Sequence, residues 1–233
     1  MTIGSLFSGI GGIDLGLESL GLGPTLWNCD ADPCSRAVLA EHWPHAKTYA
    51  DVRDIDERAA RVDILAGGFP CQDISSANRK RLGLDGPKSG LWREFRRIVE
   101  CLRPAVVFIE NSPEWKLWVP AVRRDLRLLG YASLSVVVSA ADVGAPFLGK
   151  RAFVLAAAPN GEGKPDVSRY AEVAELPALA IPTRWSVDPD PAPFLGVADG
   201  LPRRMDRLRL LGNACVPAQA ALAFRTLIAR AAE

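Results

Sequence analysis

Apolar residues in the first 160 positions fall into short runs, and amphipathic stretches lie between most of these runs. Short apolar runs bounded by glycine, proline or acidic residues are typical of buried strands, whereas longer amphipathic stretches are typical of helices. The runs predict seven strands, over residues 2–7, 25–29, 48–50, 62–66, 105–109, 132–139 and 151–158. The intervening stretches predict helices over residues 13–20, 33–40, 89–102 and 114–129, with an alanine-rich helix near the carboxyl end.

Strands that alternate with helices predict an α/β fold, with a mostly parallel sheet and helices on both of its faces. The last two predicted strands have no helix between them, so we expect them to pair as an antiparallel hairpin at the end of the sheet. The pattern changes after residue 158, where prolines are frequent and periodicity is poor. We therefore divide the chain into a domain over 1–158, a small irregular segment over 159–201 packed in part by Trp185 and Phe194, and a carboxyl-terminal segment over 202–233.

Composition limits the class of protein without identifying it. A chain of 233 residues with 48% hydrophobic and 24% charged residues is an ordinary soluble protein with enough length to bury a core. The net charge of +1 gives no global sign of nucleic-acid binding, but a basic face can be balanced by acids elsewhere. Five cysteines without paired spacing indicate a reducing compartment and no metal site, and no apolar run spans a membrane. We expect a cytoplasmic protein.

A glycine-rich turn, Ser8-Gly9-Ile10-Gly11-Gly12, follows the first predicted strand and leads into a helix. Glycines at such a turn let the backbone approach a ligand, although a tight turn without a ligand is an equally simple explanation. Asp30 ends the second strand about twenty residues later, a position that suits the hydroxyls of an adenosine ribose. Asp51, after the third strand, could accept a hydrogen bond from an adenine amino group or could cap a helix.

Two reactive side chains follow neighbouring predicted strands. Cys71 lies in the loop Gly68-Phe69-Pro70-Cys71-Gln72, and Glu110 ends the strand over 105–109. Reacting groups of parallel sheets collect at the carboxyl ends of strands, so these two residues should be close together. A small buried hydrophobe is the alternative role for Cys71, and a carboxylate such as Glu110 is seldom buried without a partner or a function.

Basic residues are clustered in two places. The polar, glycine-rich stretch 78–88 contains Arg79, Lys80 and Arg81, and Arg203, Arg204 and Arg207 precede the last motif. Such groups could bind phosphates or could belong to solvated surfaces.

Five short motifs, in order, resemble those of the DNA cytosine-5 methyltransferases. They are Phe7-Ser8-Gly9-Ile10-Gly11-Gly12, Gly68-Phe69-Pro70-Cys71-Gln72, Glu110-Asn111, Gly144-Ala145-Pro146 with Arg151, and Gly212-Asn213-Ala214 with Pro217. The resemblance covers most of the chain and implies a Rossmann-like methyltransferase sheet. It also implies that 1–158 is the catalytic domain, 159–201 a target-recognition segment, and 202–233 a segment that returns to the catalytic domain.

The resemblance further implies the chemistry and the partners. Cys71 would add to carbon 6 of a flipped-out cytosine in double-stranded DNA, Glu110 would stabilise the charge at N3, and Arg151 would hold the carbonyl oxygen of the base. The cofactor would be S-adenosylmethionine. Residues implied to bind it are Phe7, Ser8, Gly9, Ile10, Gly11, Gly12, Asp30, Asp51, Val52, Pro70, Leu91, Asn213 and Ala214. Residues expected to contact the nucleic acid are Gln72, Ser75, Arg79, Lys80, Arg81, Arg203, Arg204 and Arg207.

The chain departs from the family pattern at several positions. Phe147 and Gly149 stand where the family usually has glutamine and a first arginine, Ser112 where valine is usual, and Ile74 where an aromatic is common. These changes concern the efficiency of the reaction more than its type. The segment 159–201 is also much shorter than the usual recognition domain, as in compact phage or prophage enzymes that lack a partner nuclease. Such a segment predicts short or relaxed sequence recognition.

Three other functions remain open at this level. One branch of the family methylates transfer RNA, so the polymer is a separate question from the chemistry. The altered arginine motif is compatible with a catalytically silent module that binds cofactor or DNA, although Cys71 and Glu110 argue against it. A nicotinamide-dependent oxidoreductase would explain the glycine turn but nothing that follows Gly12.

Overall fold

The computed structural model describes residues 1–70, 89–176 and 214–233. These residues contain seven strands and six α-helices. The strands are β1 (Ile3–Leu6), β2 (Thr25–Cys29), β3 (Lys47–Tyr49), β4 (Ile64–Gly67), β5 (Val106–Asn111), β6 (Ala132–Val138) and β7 (Arg151–Ala157). The helices are α1 (Gly12–Glu18), α2 (Pro33–His42), α3 (Trp92–Leu102), α4 (Val119–Leu128), α5 (Ala171–Glu175) and α6 (Pro217–Ala232).

The strands form one sheet in the order β3-β2-β1-β4-β5-β7-β6. Five strands run parallel to one another, in the order β3-β2-β1-β4-β5. The strand β7 is antiparallel to both β5 and β6. The predicted α/β class and the antiparallel pairing of the last two strands are therefore confirmed. Because β7 runs antiparallel to β5, its first residue lies at the same edge of the sheet as the last residue of β5.

Both faces of the sheet are covered by helices. On one face, α3 and α4 contribute Phe95, Val122 and other apolar side chains to a buried cluster. On the other face, α1, α5 and α6 pack against β1, β4, β5 and β7, and the ring of Phe224 lies 5.2 Å from that of Phe108. Burying a large apolar side chain of this kind stabilises the fold by roughly 1.5–3 kcal/mol.

The prediction of a helix over 114–129 is wrong at its start. A 3₁₀ turn at Trp115–Leu117 comes first, and α4 begins only at Val119. The cause is the buried Trp118, whose indole N–H donates to the carbonyl of Ser112 at 3.0 Å and so holds the chain before it in a non-helical path.

The first part of the segment predicted over 159–201 packs against the sheet domain. Val167, Tyr170 and Val173 belong to the same buried cluster as α6, and the ring of Tyr170 lies 6.1 Å from that of Phe224. Trp185 and Phe194 lie outside the described residues, and the division of the chain at residue 158 stays a prediction.

Among the described helices, none has the length and apolar character that a membrane crossing requires.

Candidate active site

The carboxyl ends of four parallel strands meet at one edge of the sheet. Leu6 at the end of β1 pairs with Cys29 of β2 and Gly67 of β4, and Gly67 pairs with Ile109 of β5. The loops that follow these strands carry most of the residues predicted from sequence. In an open α/β sheet this edge is where ligands bind, so the predicted site has the expected position.

Glu110 and Arg151 form an ion pair at this edge. Arg151 Nε lies 3.0 Å from Glu110 Oε1, and the Glu110 side chain is only 13% exposed. Burial raises the pKa of Glu110 to about 7, although the neighbouring Arg151 guanidinium lowers it in part. Such a carboxyl can both hold and release a proton near neutral pH, which is the requirement for a general acid.

Gly68 brings the loop after β4 directly against this carboxyl. A Cβ atom at position 68 would lie 2.6 Å from Glu110 Oε2, so no larger residue fits while the ion pair keeps its place. A larger residue here would therefore displace the Glu110 carboxyl. The loop reaches residue 71 from this point.

Hydrogen bonds and aromatic packing hold the start of the loop. The Asn111 side-chain N–H₂ donates to the carbonyl of Phe69 at 2.8 Å, and its Oδ1 accepts from the backbone N–H of Ser112 at 2.7 Å. The Phe69 ring lies 5.6 Å from that of Trp92 and 5.8 Å from that of Trp118. These contacts fix Phe69, and the half-buried Pro70 follows it as the last described residue before Cys71.

The predicted nucleophile and several other predicted residues lie outside the described part of the chain. They are Cys71, Gln72, Ile74, Ser75, Arg79, Lys80, Arg81, Arg203, Arg204, Arg207 and Asn213. Of the described cysteines, two have strongly raised pKa values. Burial raises the pKa of Cys29 to about 12 and that of Cys215 well above its ordinary value, so both are poor nucleophiles at neutral pH.

The glycine turn after β1 has the backbone conformation that its composition suggests. Phe7, Gly9 and Gly11 have φ values of 53°, 56° and 81°. The N–H of Gly9 donates to Asp30 Oδ2 at 2.8 Å, and the N–H of Asp32 donates to Asp30 Oδ1 at 2.9 Å. The turn and Asp30 therefore form one unit, and a carboxylate with these two bonds retains lone pairs for further donors.

The carboxyl-terminal segment lies against this turn. A Cβ atom at Gly12 would be 2.2 Å from the carbonyl oxygen of Cys215, and one at Gly16 would be 2.4 Å from that of Pro217. Ala214 precedes these contacts and is half-buried. The structure thus brings 214–217 next to 8–12, although they stand at opposite ends of the chain.

Asp51 and Val52 follow β3, further along the same edge. The Asp51 carboxylate accepts the N–H of Arg53 at 2.9 Å and so caps a 3₁₀ turn at Val52–Asp54, which was one of its two predicted roles. The Val52 side chain is buried. Leu91 ends another 3₁₀ turn and packs on the cluster that contains Val52 and Phe69.

Two residues of the site have roles that the sequence analysis did not assign. Asn111 was part of a motif, but its bond to Phe69 was not anticipated. Gln219 is buried in α6, and its side-chain N–H₂ donates to the carbonyls of Val138 at 2.8 Å and Gly149 at 2.9 Å. A lone amide on the apolar face of an alanine-rich helix was the available signal, since buried amides are normally bonded. Among the described residues, no cluster of three or more metal-ligating side chains is present.

Comparison with known proteins defines the class. Residues 1–175 match the family model described as C-5 cytosine-specific DNA methylase, and the chain belongs to that family.

Curated relatives match about half of the chain. The chain is 42% identical to the type II methyltransferase M2.BsuMI of Bacillus subtilis (strain 168) over 117 residues, which are 48% of this chain and 29% of that protein. It is 40% identical to M.Eco47II of Escherichia coli over 114 residues, which are 47% and 27% of the two chains. The chain thus spans less than a third of the length of these two relatives.

Solved structures show the same fold. A DNA modification methyltransferase encoded within an E. coli prophage matches with a TM-score of 0.56 and 24% identity, over 68% of this chain and 47% of that one. The methyltransferase EhMeth of Entamoeba histolytica matches with a TM-score of 0.59 and 20% identity, over 70% and 55%.

Proposed function

We propose that this protein transfers a methyl group from S-adenosylmethionine to carbon 5 of a cytosine in double-stranded DNA, through a covalent bond to Cys71. Family membership and the type II methyltransferase relatives support the reaction class. The observation that carries the proposal is the Glu110–Arg151 pair, a carboxyl with a pKa of about 7 placed across Gly68 from the loop that leads into Cys71.

The pair supplies what the first step needs. Carbon 5 of cytosine is a weak nucleophile, and it becomes reactive only after the Cys71 thiolate has added to carbon 6. Addition places negative charge on the ring, and Glu110 in its protonated form neutralises that charge at N3. Arg151 holds Glu110 through Nε, and its terminal nitrogens provide donors for the carbonyl oxygen of the base.

The residues at the other end of the edge fit the cofactor. This part of the edge contains the turn over 7–12, with its positive φ angles, and Asp30, whose carboxylate accepts two backbone bonds. It also contains Asp51, Val52 and the adjacent Ala214. When bound, S-adenosylmethionine supplies an electrophilic methyl group. Within this proposal Asp30 accepts the ribose hydroxyls, and Pro70, Leu91 and Asn213 complete the pocket.

The target base must leave the duplex, because carbon 5 and carbon 6 are stacked inside it. In this proposal the basic residues of 79–81 and 203–207 bind the phosphates, Gln72 and Ser75 contact the nucleic acid beside the target base, and the short segment 159–201 reads the sequence. A segment of this size predicts a short target sequence.

A duplex that contains 5-fluorocytosine at many positions tests the proposal. Fluorine cannot leave as a proton does, so the reaction should stop at a covalent protein–DNA adduct, visible as a shift in a denaturing gel. The adduct should form with wild type in the presence of S-adenosylmethionine, should vanish in Cys71→Ala and should remain in the control Cys101→Ala, a half-buried cysteine of α3.

The possible results separate the alternatives. An adduct that survives in Cys71→Ala would show that Cys71 is not the nucleophile. An adduct on fluorinated transfer RNA and none on DNA would change the polymer and keep the chemistry. No adduct with either polymer, while S-adenosylmethionine still binds, would indicate a silent module.

A further inference from the structure

An exposed apolar pair lies close to the reacting groups. Phe147 is 47% exposed and Leu148 is 66% exposed, in the loop that joins β6 to β7. Phe147 is four positions before Arg151, so its Cα lies within about 14 Å of that of Arg151. Exposed apolar side chains next to an active site often mark a binding surface.

The loop that carries this pair is held firmly. The carbonyl of Leu148 accepts from the hydroxyl of Ser139 and from the N–H of Ala140, the latter at 2.8 Å. The carbonyl of Gly149 accepts from the buried Gln219 at 2.9 Å. Ser139 also begins a capped 3₁₀ turn that Asp142 closes from its other end. The side chains of Phe147 and Leu148 are therefore exposed on a pre-organised backbone.

Phe147 and Gly149 are one structural unit. Gly149 has a φ of 37°, and a Cβ atom there would lie 2.7 Å from Phe147 Cε2 and 3.2 Å from the Cβ of Ala140. With the ring in this place, a side chain at residue 149 would displace it. The two positions at which the chain departs from the family's glutamine and first arginine are therefore in direct contact.

The size and charge of the surface favour a nucleobase over a protein. Two side chains are far smaller than a stable protein interface, which uses roughly 20–30 residues on each side. A single base needs only a small apolar surface, and aromatic side chains bind unstacked bases by stacking. The next two residues, Lys150 and Arg151, are cationic, and the acid of this loop, Asp142, is bonded to the N–H of Ser139.

We propose that Phe147 and Leu148 form a nucleobase-binding surface, on which a base next to the target cytosine stacks when the target leaves the duplex. The assignment of the target rests on the proposed function. The surface itself, as a contact for bases, does not depend on methyl transfer.

Photochemical cross-linking measures the contact directly. Wild-type protein is irradiated with a random-sequence duplex that carries 5-iodouracil in place of thymine, and the linked peptides are identified by mass spectrometry. We expect linkage within the peptide that contains Phe147 and Leu148. The result uses only the unaltered protein, so it does not depend on whether a variant folds.

Affinity measurements then separate stacking from electrostatics. Phe147→Leu, which keeps an apolar contact with Gly149, should bind a mismatched duplex about tenfold more weakly, with an unchanged salt dependence. Phe147→Tyr should restore binding, and Lys150→Ala should instead reduce the salt slope by about one. Leu128→Ala is the matched control, because Leu128 is 73% exposed at the far end of α4.

The outcomes distinguish this inference from the proposed function. Cross-linking at 147–148 without any 5-fluorocytosine adduct would support the nucleobase-binding surface and contradict the proposed methyl-transfer reaction. A normal adduct without cross-linking at 147–148, and with full affinity in Phe147→Leu, would overturn the surface and leave the reaction standing. An equal loss of DNA affinity in Phe147→Leu and in the control Leu128→Ala would also overturn the proposed surface.

Discussion

The edge of the sheet that carries the candidate active site, here called the active edge, has two halves that are constructed by different means. The half after β1–β3 depends on backbone geometry, with positive φ angles at Phe7 and Gly9 and a backbone N–H that donates to Asp30. The half after β4, β5 and β7 depends on side-chain charge, with Glu110 bonded to Arg151. In the first half the bond joins residues that follow the neighbouring strands β1 and β2, whereas in the second Arg151 meets Glu110 only because β7 pairs with β5.

Each half also contains a buried carboxyl with a raised pKa. Burial raises the pKa of Asp14, in α1, to about 7, although a 3.0 Å bond from the Ser5 hydroxyl lowers it in part. Burial also raises the pKa of Glu110 to about 7. Asp14 is enclosed between α1 and the sheet, while Glu110 is at the edge beside Gly68. A raised pKa is therefore not enough to identify a catalytic acid, since position decides which carboxyl meets a substrate.

Replacing Glu110 should give the largest effect. In Glu110→Gln we expect kcat to fall by about 10²–10³-fold, because the side chain can no longer give a proton to the base. In wild type, kcat/KM should decline as pH rises through about 7, since Glu110 then loses its proton. That alkaline decline should be absent in Glu110→Gln. The measurement is the rate of tritium incorporation into DNA between pH 6 and 9.

The other buried carboxyl provides the control for this experiment. Asp14 has a pKa of about 7 as well, so it would produce a similar decline if it acted in the reaction. In Asp14→Asn we expect the alkaline decline to remain. If it vanished there and persisted in Glu110→Gln, the assignment of the acid would be wrong.

A methyl group at position 68 should give the second-largest effect. In Gly68→Ala the new Cβ would lie 2.6 Å from Glu110 Oε2, so the carboxyl must move away from its position beside Arg151. We expect kcat to fall by roughly 10- to 100-fold, as is usual for a misplaced catalytic group. Binding of S-adenosylmethionine, measured by calorimetry, should change little. An equal loss of cofactor affinity would show that the two halves are not independent.

The same contrast explains what the sequence could predict. The seven strands, the antiparallel last pair and the position of Glu110 at the carboxyl edge follow from local patterns and from the rule that parallel strands end together. Arg151 was assigned to the site only from the resemblance to the family. The dual role considered for Asp51 could not be decided, because capping and ligand binding use the same carboxylate.

Features that depend on specific side-chain bonds of the folded chain were missed. The start of α4 is set by the bond from Trp118 to Ser112, which no helical period reveals. The bond from Asn111 to Phe69 and the bonds from Gln219 to Val138 and Gly149 join residues that are far apart in sequence. The raised pKa of Glu110 results from burial, which is a property of the folded chain only.

A methyl group at Gly9 should act on the cofactor half, with a smaller effect. A Cβ atom there would meet nothing within 4 Å, but the φ of 56° makes any larger residue strained by about 1–2 kcal/mol. In Gly9→Ala we expect about a tenfold higher KM for S-adenosylmethionine, because the strained turn relaxes, and little change in kcat. Steady-state rates at varied cofactor concentration give both values.

Gly130→Ala is the matched control for this change. Gly130 has a φ of 88° and equally open surroundings, and it lies before β6, away from the active edge. The two variants should lose similar thermal stability, while the KM rises only in Gly9→Ala. A similar rise in both variants would mean that general destabilisation is responsible.

The smallest expected effect concerns stability, and it completes the comparison of the two carboxyls. The folded-state pKa of Asp14 is about 7, above its ordinary value of 3.8, so its contribution to stability is full below pH 4 and is lost as pH rises through 7. Asp14→Asn removes this loss, but an amide N–H₂ replaces one of the two oxygens that can accept from neighbouring hydroxyls such as that of Ser5, which offsets part of the gain. We therefore expect Asp14→Asn to be about 1 kcal/mol more stable than wild type at pH 8, with no gain at pH 4. Urea unfolding at both pH values measures this difference, and a gain of the same size at both would show that charge is not its cause.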